Sequence, residues 1–245
     1  MNTPLANTPL AAATRATPNA PWPIGYTVNP RVCTLPKELV AAFEGVPVPH
    51  ASDSMGRHIG ARGLIAYHGA QAGTICGPAV TVRSRPGDNL MIHLAIMTAQ
   101  PGDVIVIDGG GDLSTAVLGG LMRTSALARG IRAFVLDGAL RDVAEWKEGG
   151  VGAFARGNVH RGPSKDGPGE LNVPVACAGL SVMPGDLMLC DLDGVVAVPA
   201  AEAEGLLAKC RAHAARESAI IEKNRTGEPD WERFNALLRQ KGCPV

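Results

Sequence analysis

Residues 103–142, DVIVIDGGGDLSTAVLGGLMRTSALARGIRAFVLDGALRD, contain the pattern that decides the fold. Two apolar runs, Val104–Ile107 and Ala133–Leu136, each end at an Asp-Gly turn, and a stretch of helical composition follows each turn. Continuous runs of aliphatic and β-branched residues are typical of strands that are covered on both faces. Strands that alternate with helices in this way predict an α/β fold with mostly parallel strands.

The same alternation extends in both directions along the chain. The pattern predicts helices over residues 35–45, 51–59, 90–99 and 115–130, a strand over 79–85, and another strand at VGAFARG from Val151. Beyond Gly169, short apolar runs separated by Pro-Gly-Asp and Asp-Gly turns predict additional strands. Two C-terminal helices follow, at 201–223 and 230–241. Residues 1–28 are predicted to be a flexible tail and 29–245 a single domain.

Composition limits the class of protein. The chain has 245 residues, of which 46% are hydrophobic, so it can bury a substantial core. Its net charge is zero and only 4% of its residues are aromatic, which argues against nucleic acid as a partner. Residues 1–28 lack the pattern of a secretory signal, and no apolar run reaches the roughly 18 residues of a membrane span. A cytoplasmic location is therefore expected, without a membrane partner.

The six cysteines occur without a CxxC pair. Most lie in apolar or helical stretches, where a thiol behaves as a small hydrophobic group. We therefore expect buried, reduced thiols rather than a metal or redox site. The cysteines are Cys33, Cys76, Cys177, Cys190, Cys210 and Cys243.

Ligands of open α/β sheets bind beyond the carboxyl ends of the strands. Asp108 and Asp137 end two predicted strands there, and Asp112 follows the first turn. Ordinary turn chemistry explains such residues equally well. The glycines at 109–111 do not fit GxGxxG, and no Walker lysine is present, so a nucleotide site is not favoured.

Arg141 and Asp142 form a more specific pair. An arginine offers a planar fork that matches a carboxylate, and an adjacent aspartate suits a hard divalent cation. The alternative is an aspartate favoured by the helix dipole, with a solvated arginine beside it. HExxH and EF-hand patterns are missing from the sequence, so a site with few protein ligands, completed by water and substrate, predicts Mg²⁺ or Mn²⁺.

Several segments resemble the RraA-like family, in order from about Ser52 to about Pro199. They are RPGDNLMIHLAI, AQPGDVIVIDGGGD, ARGIRAFVLDGALRD, FARGNVHRGPSKDGPGELNVPV and PGDLMLCDLDGVVAVP. That family contains class II pyruvate aldolases acting on 4-hydroxy-4-methyl-2-oxoglutarate and 4-carboxy-4-hydroxy-2-oxoadipate, and the non-enzymatic regulator of ribonuclease activity A. The resemblance implies an αββα sandwich of the swivelling-domain type, here with a C-terminal helical tail. It also implies a homotrimer or a homohexamer built as a dimer of trimers.

The aldolase branch carries a D-x20-R-D motif, and the resemblance assigns its last two positions to Arg141 and Asp142. Arg141 would bind the pyruvate moiety, and Asp142 would bind Mg²⁺ or Mn²⁺. The first position of the motif falls on Gly120 instead of an aspartate. This departure puts the standard aldol cleavage in question.

Two further features of the site follow from the resemblance. The substrate-binding backbone amides map onto a predicted helix N-terminus, which is suited to an anion. An acid that a neighbouring subunit contributes falls near Glu217, with Glu222 as a rival. The amide positions are Gly119, Gly120, Leu121 and Met122.

The resulting hypothesis is a metal-dependent lyase that cleaves 4-hydroxy-2-oxo acids to pyruvate and also decarboxylates oxaloacetate. A Schiff-base mechanism is disfavoured because none of the six lysines, including Lys147 and Lys165, lies in an apolar strand. His93 and His160 are candidate proton carriers, although His93 also fits a structural role in an apolar helix. Two alternatives remain: a lyase for another hydroxy, oxo or sugar acid, for which Gly120 opens room, and a ribonuclease-regulator-like binding protein.

Overall fold

The computed structural model describes residues 21–69, 73–227 and 229–245. The strands are β1 (Tyr26–Val28), β2 (Ile65–Ala66), β3 (Ile75–Ser84), β4 (Val104–Leu118), β5 (Ala133–Leu140), β6 (Gly152–Asn158), β7 (Gly169–Leu171), β8 (Val175–Cys177), β9 (Leu180–Val182), β10 (Leu187–Asp191) and β11 (Gly194–Val198). The helices are α1 (Lys37–Ala42), α2 (Val48–Ser54), α3 (Leu90–Thr98), α4 (Gly120–Ala128), α5 (Val143–Trp146), α6 (Ala203–Arg225) and α7 (Trp231–Gln240). A 3₁₀ turn at Ala200–Glu202 leads into α6.

The main sheet has the order β1-β7-β3-β4-β5-β6-β2. Its four central strands, β3 to β6, are parallel, whereas β7 and β2 run antiparallel to their neighbours β3 and β6. The β10–β11 hairpin continues from the first half of β3, and β8 pairs only with β9 among the described strands. The mixed α/β class predicted from the sequence is confirmed, with parallel pairing in its centre.

The central strands are buried on both faces, as their continuous apolar runs predicted. Side chains alternate along β4, so Ile105 and Ile107 pack toward α3 and α4 while Val104 and Val106 pack toward β8 and β10. A third cluster joins α1, α2 and α6 to the outer side of the β10–β11 hairpin. The sheet is therefore enclosed and presents its strand ends, rather than a face, to ligands.

Strand β4 differs most from expectation. The helix predicted from residue 115 does not begin there, because β4 continues to Leu118 and α4 starts at Gly120. Residues 112–118 stay in the sheet through irregular pairing with β5, in which Asp112 lies opposite Gly138 and Leu118 opposite Leu140. Pairing with a neighbouring strand overrides the local helical preference here.

Two other boundaries also change. Helix α2 begins at Val48 and ends at Ser54, earlier than the predicted 51–59, because Pro47 and Pro49 favour a helix start. Strand β1 pairs in parallel with β7, so the predicted tail ends before Tyr26. Residues 1–20 of that predicted tail lie outside the described residues.

The cysteine environments agree largely with the sequence expectation. Four of the six thiols are buried, and burial raises the pKa of the Cys76 thiol to about 11. Such groups stay protonated at neutral pH and behave as small hydrophobic side chains. Cys33 differs, because it is exposed. None of the described helices has the length and apolar character needed to cross a membrane.

Gly77 lies in a closely packed part of β3, and Gly205 in α6 faces open space, so substitutions at the two positions test the packing of β3. A Cβ at Gly77 in β3 would overlap the carbonyl oxygen of Gly102, whereas a Cβ at Gly205 in α6 meets nothing within 4 Å. We expect Gly77→Ala to lower the free energy of unfolding by about 1–3 kcal/mol through overpacking. Gly205→Ala should raise it by about 0.4–1 kcal/mol, because alanine restricts the unfolded chain. Urea denaturation of both variants measures the difference, and equal effects would contradict the close approach.

Candidate active site

The carboxyl ends of β4 and β5 bring two sequence-predicted elements together. Leu118 lies opposite Leu140, and the Arg141 N–H donates to the Leu118 carbonyl at 2.9 Å. One residue further on, β4 turns into α4 at the glycine pair and β5 turns into α5 at Asp142. The parallel register therefore places Gly119 and Gly120 directly beside Arg141 and Asp142.

The side chain of Asp142 contacts the N-terminus of α4, although the residue itself directly precedes α5. Its backbone is in the left-handed region, with φ 62° and ψ 42°, which is uncommon for a residue other than glycine. Its Oδ2 accepts a hydrogen bond from the Gly120 N–H at 2.8 Å, and the Arg141 Nε lies 3.7 Å from the same oxygen. A carboxylate in this position is stabilised by the positive end of the α4 dipole. Asp142 makes no side-chain cap for α5, so the helix-start explanation does not account for its carboxylate.

Trp146 holds this backbone in place. Its side chain is fully buried, and its Nε1 donates to the Arg141 carbonyl at 2.9 Å. Its ring meets Phe134 edge to face, with centroids 5.9 Å apart. Because the indole is packed in the core, it fixes the backbone at Arg141 while the guanidinium remains 40% exposed.

Glu145 is a site residue that the sequence reasoning missed. A Cβ at Gly120 would overlap the Glu145 carboxylate, and a Cβ at Gly119 would come within 2.7 Å of Asp142 Oδ2. Two carboxylates therefore converge on the glycine pair. No local signal in the sequence marks this pair, because Asp142 precedes α5 in a left-handed conformation and the spacing rule for helix faces applies only within a helix. The room that the alternative lyase hypothesis assigns to Gly120 is occupied by the Glu145 carboxylate in this structure.

A small cavity of about 110 Å³ opens beside these groups. Lys165 and His93 line it with Arg141, and a Cβ at Gly162 would lie 2.9 Å from the Arg141 Nη1. Burial and the charge of Lys165 lower the pKa of His93, so its imidazole is neutral at neutral pH. The cavity wall also contains Asn89, Ala116, Val117, Leu118, Gly119, Gly120, Leu121, Met122, Asp142 and Pro163.

Buried polar atoms at this cavity are not all satisfied. The Asn89 Nδ2 donates to the Val117 carbonyl at 3.1 Å, whereas its buried Oδ1 has no hydrogen-bond partner within the described residues. Among the predicted backbone amides, Gly120 N–H is taken by Asp142 and Met122 N–H by the Gly119 carbonyl. The N–H groups of Gly119 and Leu121 have no such acceptor in the described part of the chain, so both are placed to bind a ligand.

The other acids singled out from the sequence have structural hydrogen-bond partners. Asp108 and Asp112 accept hydrogen bonds from backbone amides two residues further on, at 3.2 and 2.9 Å. Asp137 is buried, pairs with Arg156 and accepts from the Ala178 N–H at 2.8 Å. Turn chemistry therefore accounts for Asp108 and Asp112, whereas Asp137 is engaged by Arg156 and Ala178 from other elements.

The remaining predicted candidates lie on other surfaces. His160 and Lys147 are exposed and do not line the cavity. Glu217 and Glu222 both lie on α6. Glu217 contacts His50 of the same chain, and Glu222 lies 3.8 Å from Arg225.

Asp88 organises the loop that supplies Lys165. Its carboxylate accepts hydrogen bonds from the Ser164 hydroxyl at 2.6 Å and from the backbone N–H groups of Leu90, Asp166 and Gly167. Burial opposes its ionisation, but these four donors lower the pKa of Asp88 overall. A buried carboxylate with that many donors is a structural clamp for residues 164–167.

The donor set fits a divalent cation of the hard type. Asp142 and Glu145 offer carboxylate oxygens only, and both residues are partly exposed, so solvent and a ligand can complete the coordination shell. Mg²⁺ and Mn²⁺ are bound in this way, by one or two carboxylates together with water and substrate.

Comparison with known proteins identifies relatives. The family model RraA-like (Aldolase/RraA) matches residues 48–197. A protein of Halalkalibacterium halodurans is 41% identical over 145 residues, covering 59% of this chain and 69% of its own. The 4-hydroxy-4-methyl-2-oxoglutarate aldolase of Thermus thermophilus is 36% identical over 112 residues, covering 46% and 68%. The solved RNA-processing inhibitor RraA from Thermus thermophilus has a TM-score of 0.53 at 32% identity, over 57% of this chain and 83% of its own.

The clamp at Asp88 predicts a pH-dependent stability. Asp88→Asn should lower the free energy of unfolding at pH 7 by about 1–3 kcal/mol, because the four donors lose a charged acceptor. The folded-state pKa lies below the usual 3.8, so this stabilisation is present above that pH and is lost as the pH falls through the lowered pKa.

Chemical denaturation of wild type and Asp88→Asn at several pH values measures the effect. Asp166→Asn is the control, because its carboxylate is 78% exposed. A difference between wild type and Asp88→Asn that persists unchanged in acid would contradict the assignment.

Proposed function

This chain belongs to the RraA-like family, and on that premise we propose that it is a divalent-metal-dependent carbon–carbon lyase of the class II pyruvate aldolase type. Its substrates would be 4-hydroxy-2-oxo acids such as 4-hydroxy-4-methyl-2-oxoglutarate, with oxaloacetate decarboxylation as a second reaction. One observation carries the proposal: Arg141 and Asp142 line a small cavity, and the Glu145 carboxylate lies against Gly120 in the wall of the same cavity.

Substrate recognition rests on the positive groups of the cavity. The Arg141 guanidinium presents a planar fork to the carboxylate of the 2-oxo acid. The Leu121 N–H at the start of α4 offers a second donor to the same end of the substrate, where the helix dipole favours negative charge. Lys165 adds another positive charge to the cavity lining. A small dianion fits this field better than a neutral molecule.

Asp142 and Glu145 would hold Mg²⁺ or Mn²⁺. When bound, the ion supplies Lewis-acid polarisation of the 2-oxo group and offsets negative charge that develops there. The Gly120 N–H keeps Asp142 aimed at the site, so one carboxylate oxygen is fixed before any ligand arrives. The absence of a side chain at Gly120 is what allows Glu145 to reach the same place.

The proposed retro-aldol step breaks the bond between C3 and C4 of the substrate. The 4-hydroxyl proton leaves, its oxygen becomes the new carbonyl, and the electron pair of the broken bond forms the enolate of pyruvate. Arg141 stabilises that enolate electrostatically, and a proton added at C3 completes pyruvate. Neutral His93 is suited to accept the hydroxyl proton, since it lines the cavity and its pKa is lowered.

Assembly and location are part of the proposal. We propose a homotrimer, or a dimer of trimers, in the cytoplasm, with each site completed by an acid from the neighbouring C-terminal helix. Glu217 is paired with His50 in its own chain, whereas Glu222 is 71% exposed. Glu222 is therefore the freer of the two candidates.

A ribonuclease-regulator-like binding function is the second candidate. Its support is the likeness to the RNA-processing inhibitor RraA of Thermus thermophilus. Such a function needs a contact surface and no metal. Co-purification of a ribonuclease, together with the absence of pyruvate release from any 4-hydroxy-2-oxo acid, would favour it.

The lyase proposal predicts a specific pattern of losses. Purified protein should release pyruvate from 4-hydroxy-2-oxo acids in the presence of Mg²⁺ or Mn²⁺ and lose this activity in EDTA. Arg141→Ala, Asp142→Asn and Glu145→Gln should each lower kcat/KM by about 10²–10³, the usual loss for one preorganised electrostatic partner. A coupled lactate dehydrogenase assay measures the rate.

Glu148→Gln is the matched control, because it lies on the same short segment but faces Arg123 at 3.3 Å. It should keep nearly full activity. Turnover that is independent of metal, or a Glu145→Gln variant as active as the control, would contradict the proposed metal site.

A second prediction follows if Glu145 and an aspartate at position 120 can supply the same carboxylate. Gly120→Asp alone should lose activity, because its side chain would enter the space that Glu145 occupies. Gly120→Asp combined with Glu145→Ala should recover much of the loss, since one carboxylate then replaces the other at the same place. Steady-state kinetics of both variants and of Glu145→Ala test this. A double variant no better than the worse single variant would refute the idea of one shared carboxylate position.

A further inference from the structure

A second cluster of metal-binding side chains lies between α2 and α6. It consists of His50, His213 and Glu217, whose ligand atoms all lie within 4.8 Å of one another. We propose that these three residues bind a transition-metal ion, best Zn²⁺, at a site separate from Asp142 and Glu145. This proposal does not depend on the lyase activity.

The geometry of the cluster is already close to a metal site. The His50 Nε2 lies 2.5 Å from the Glu217 Oε2, and the imidazole centroids of His50 and His213 are 4.8 Å apart with a tilt of 48°. Ligands of a tetrahedral zinc ion lie about 2.0–2.2 Å from the metal and so roughly 3.3–3.6 Å from one another. Binding would open the short His50–Glu217 contact and draw the ligand atom of His213 into the same range by side-chain rotation.

The two helices hold these ligands without help from a metal. His213 and Glu217 are four residues apart on α6, which places both side chains on one face of the helix. His50 is presented by α2, whose first N–H, at Val48, donates to the Asp191 carboxylate at 2.8 Å. Val48 and Ala51 pack in the same apolar cluster as the buried residues of α6. The site is therefore preorganised by packing.

The three side chains of the cluster are buried to different extents. The side chains of His50 and His213 are only 15% and 22% exposed, whereas Glu217 is 47% exposed. The metal would thus be held from the protein side and keep an open position toward solvent. Asp53, one turn after His50, brings another carboxylate oxygen within 3.9 Å of the His213 Nε2.

With Asp53, the cluster combines two imidazoles with two carboxylates. His50 pairs with Glu217, and His213 packs against His50 and lies 3.9 Å from the Asp53 carboxylate. Two imidazole nitrogens and a carboxylate oxygen are a common ligand set for zinc.

The donor chemistry distinguishes this cluster from the site at Asp142. Imidazole nitrogen favours Zn²⁺ and similar transition ions, whereas carboxylate oxygens alone suit Mg²⁺ and Mn²⁺. Lys209 and Arg216 line the depression of about 270 Å³ beside His213. Their charge would favour an anionic ligand, such as a small carboxylate, at the open position of the bound ion.

Metal titration of the full chain tests the proposal. After treatment with EDTA and removal of the chelator, the protein is dialysed against Zn²⁺ with Mg²⁺ in excess, and bound zinc is measured by mass spectrometry. Co²⁺ substitution adds a spectroscopic readout, since low-symmetry coordination by nitrogen gives a visible absorption band. We expect about one zinc ion per chain at this site and a higher Tm, because the ion links α2 to α6.

The variants are His213→Ala and Glu217→Gln, with His58→Ala as the matched histidine control outside the cluster. Each cluster variant should weaken zinc binding by more than the roughly 10–100-fold that loss of an outer-shell partner costs. Glu217→Gln alters a half-exposed residue and so preserves the fold. The proposal is overturned if zinc stoichiometry, Co²⁺ absorption and the Tm shift are the same in Glu217→Gln and His58→Ala as in wild type.

Discussion

The hydrogen bond from the Gly120 N–H to Asp142 is the contact on which the candidate active site depends. It exists because β4 and β5 run in parallel and end in register, so the start of α4 meets the second residue after β5. The left-handed backbone at Asp142 turns its carboxylate back across that gap. The indole of buried Trp146 donates a hydrogen bond to the Arg141 carbonyl and so fixes the same segment. Without this junction, Arg141 would be an ordinary surface cation.

The Glu145 side chain lies against Gly120, where the aldolases that this chain resembles carry an acid. What matters to a ligand is where the oxygens lie, not which backbone position supplies them. In the proposed site, the Glu145 carboxylate would therefore take the role of the missing acid from a different backbone position.

Carboxylates in this chain divide by how fully their oxygens are engaged. Asp88 and Asp137 are buried and use their oxygens on amides, a hydroxyl or an arginine, so they stabilise loops. Asp142 is 39% exposed and has one oxygen bonded to a single amide, which leaves capacity for a ligand. Exposure and unused acceptor capacity, rather than residue type, separate the candidate functional acids from the structural ones.

The sequence by itself determined the α/β class and the place of Arg141 and Asp142. Continuous apolar runs ending at Asp-Gly turns specify covered parallel strands, and such strands put their following loops at one edge. Local pattern failed after residue 112, because the extension of β4 depends on pairing with β5.

The tertiary structure alone decided that Glu145 fills the place left by Gly120 and that His50 meets Glu217. The second of these contacts joins residues 167 positions apart in the chain. Such contacts depend on packing between distant elements, and packing leaves no short-range period in the sequence for local reasoning to detect.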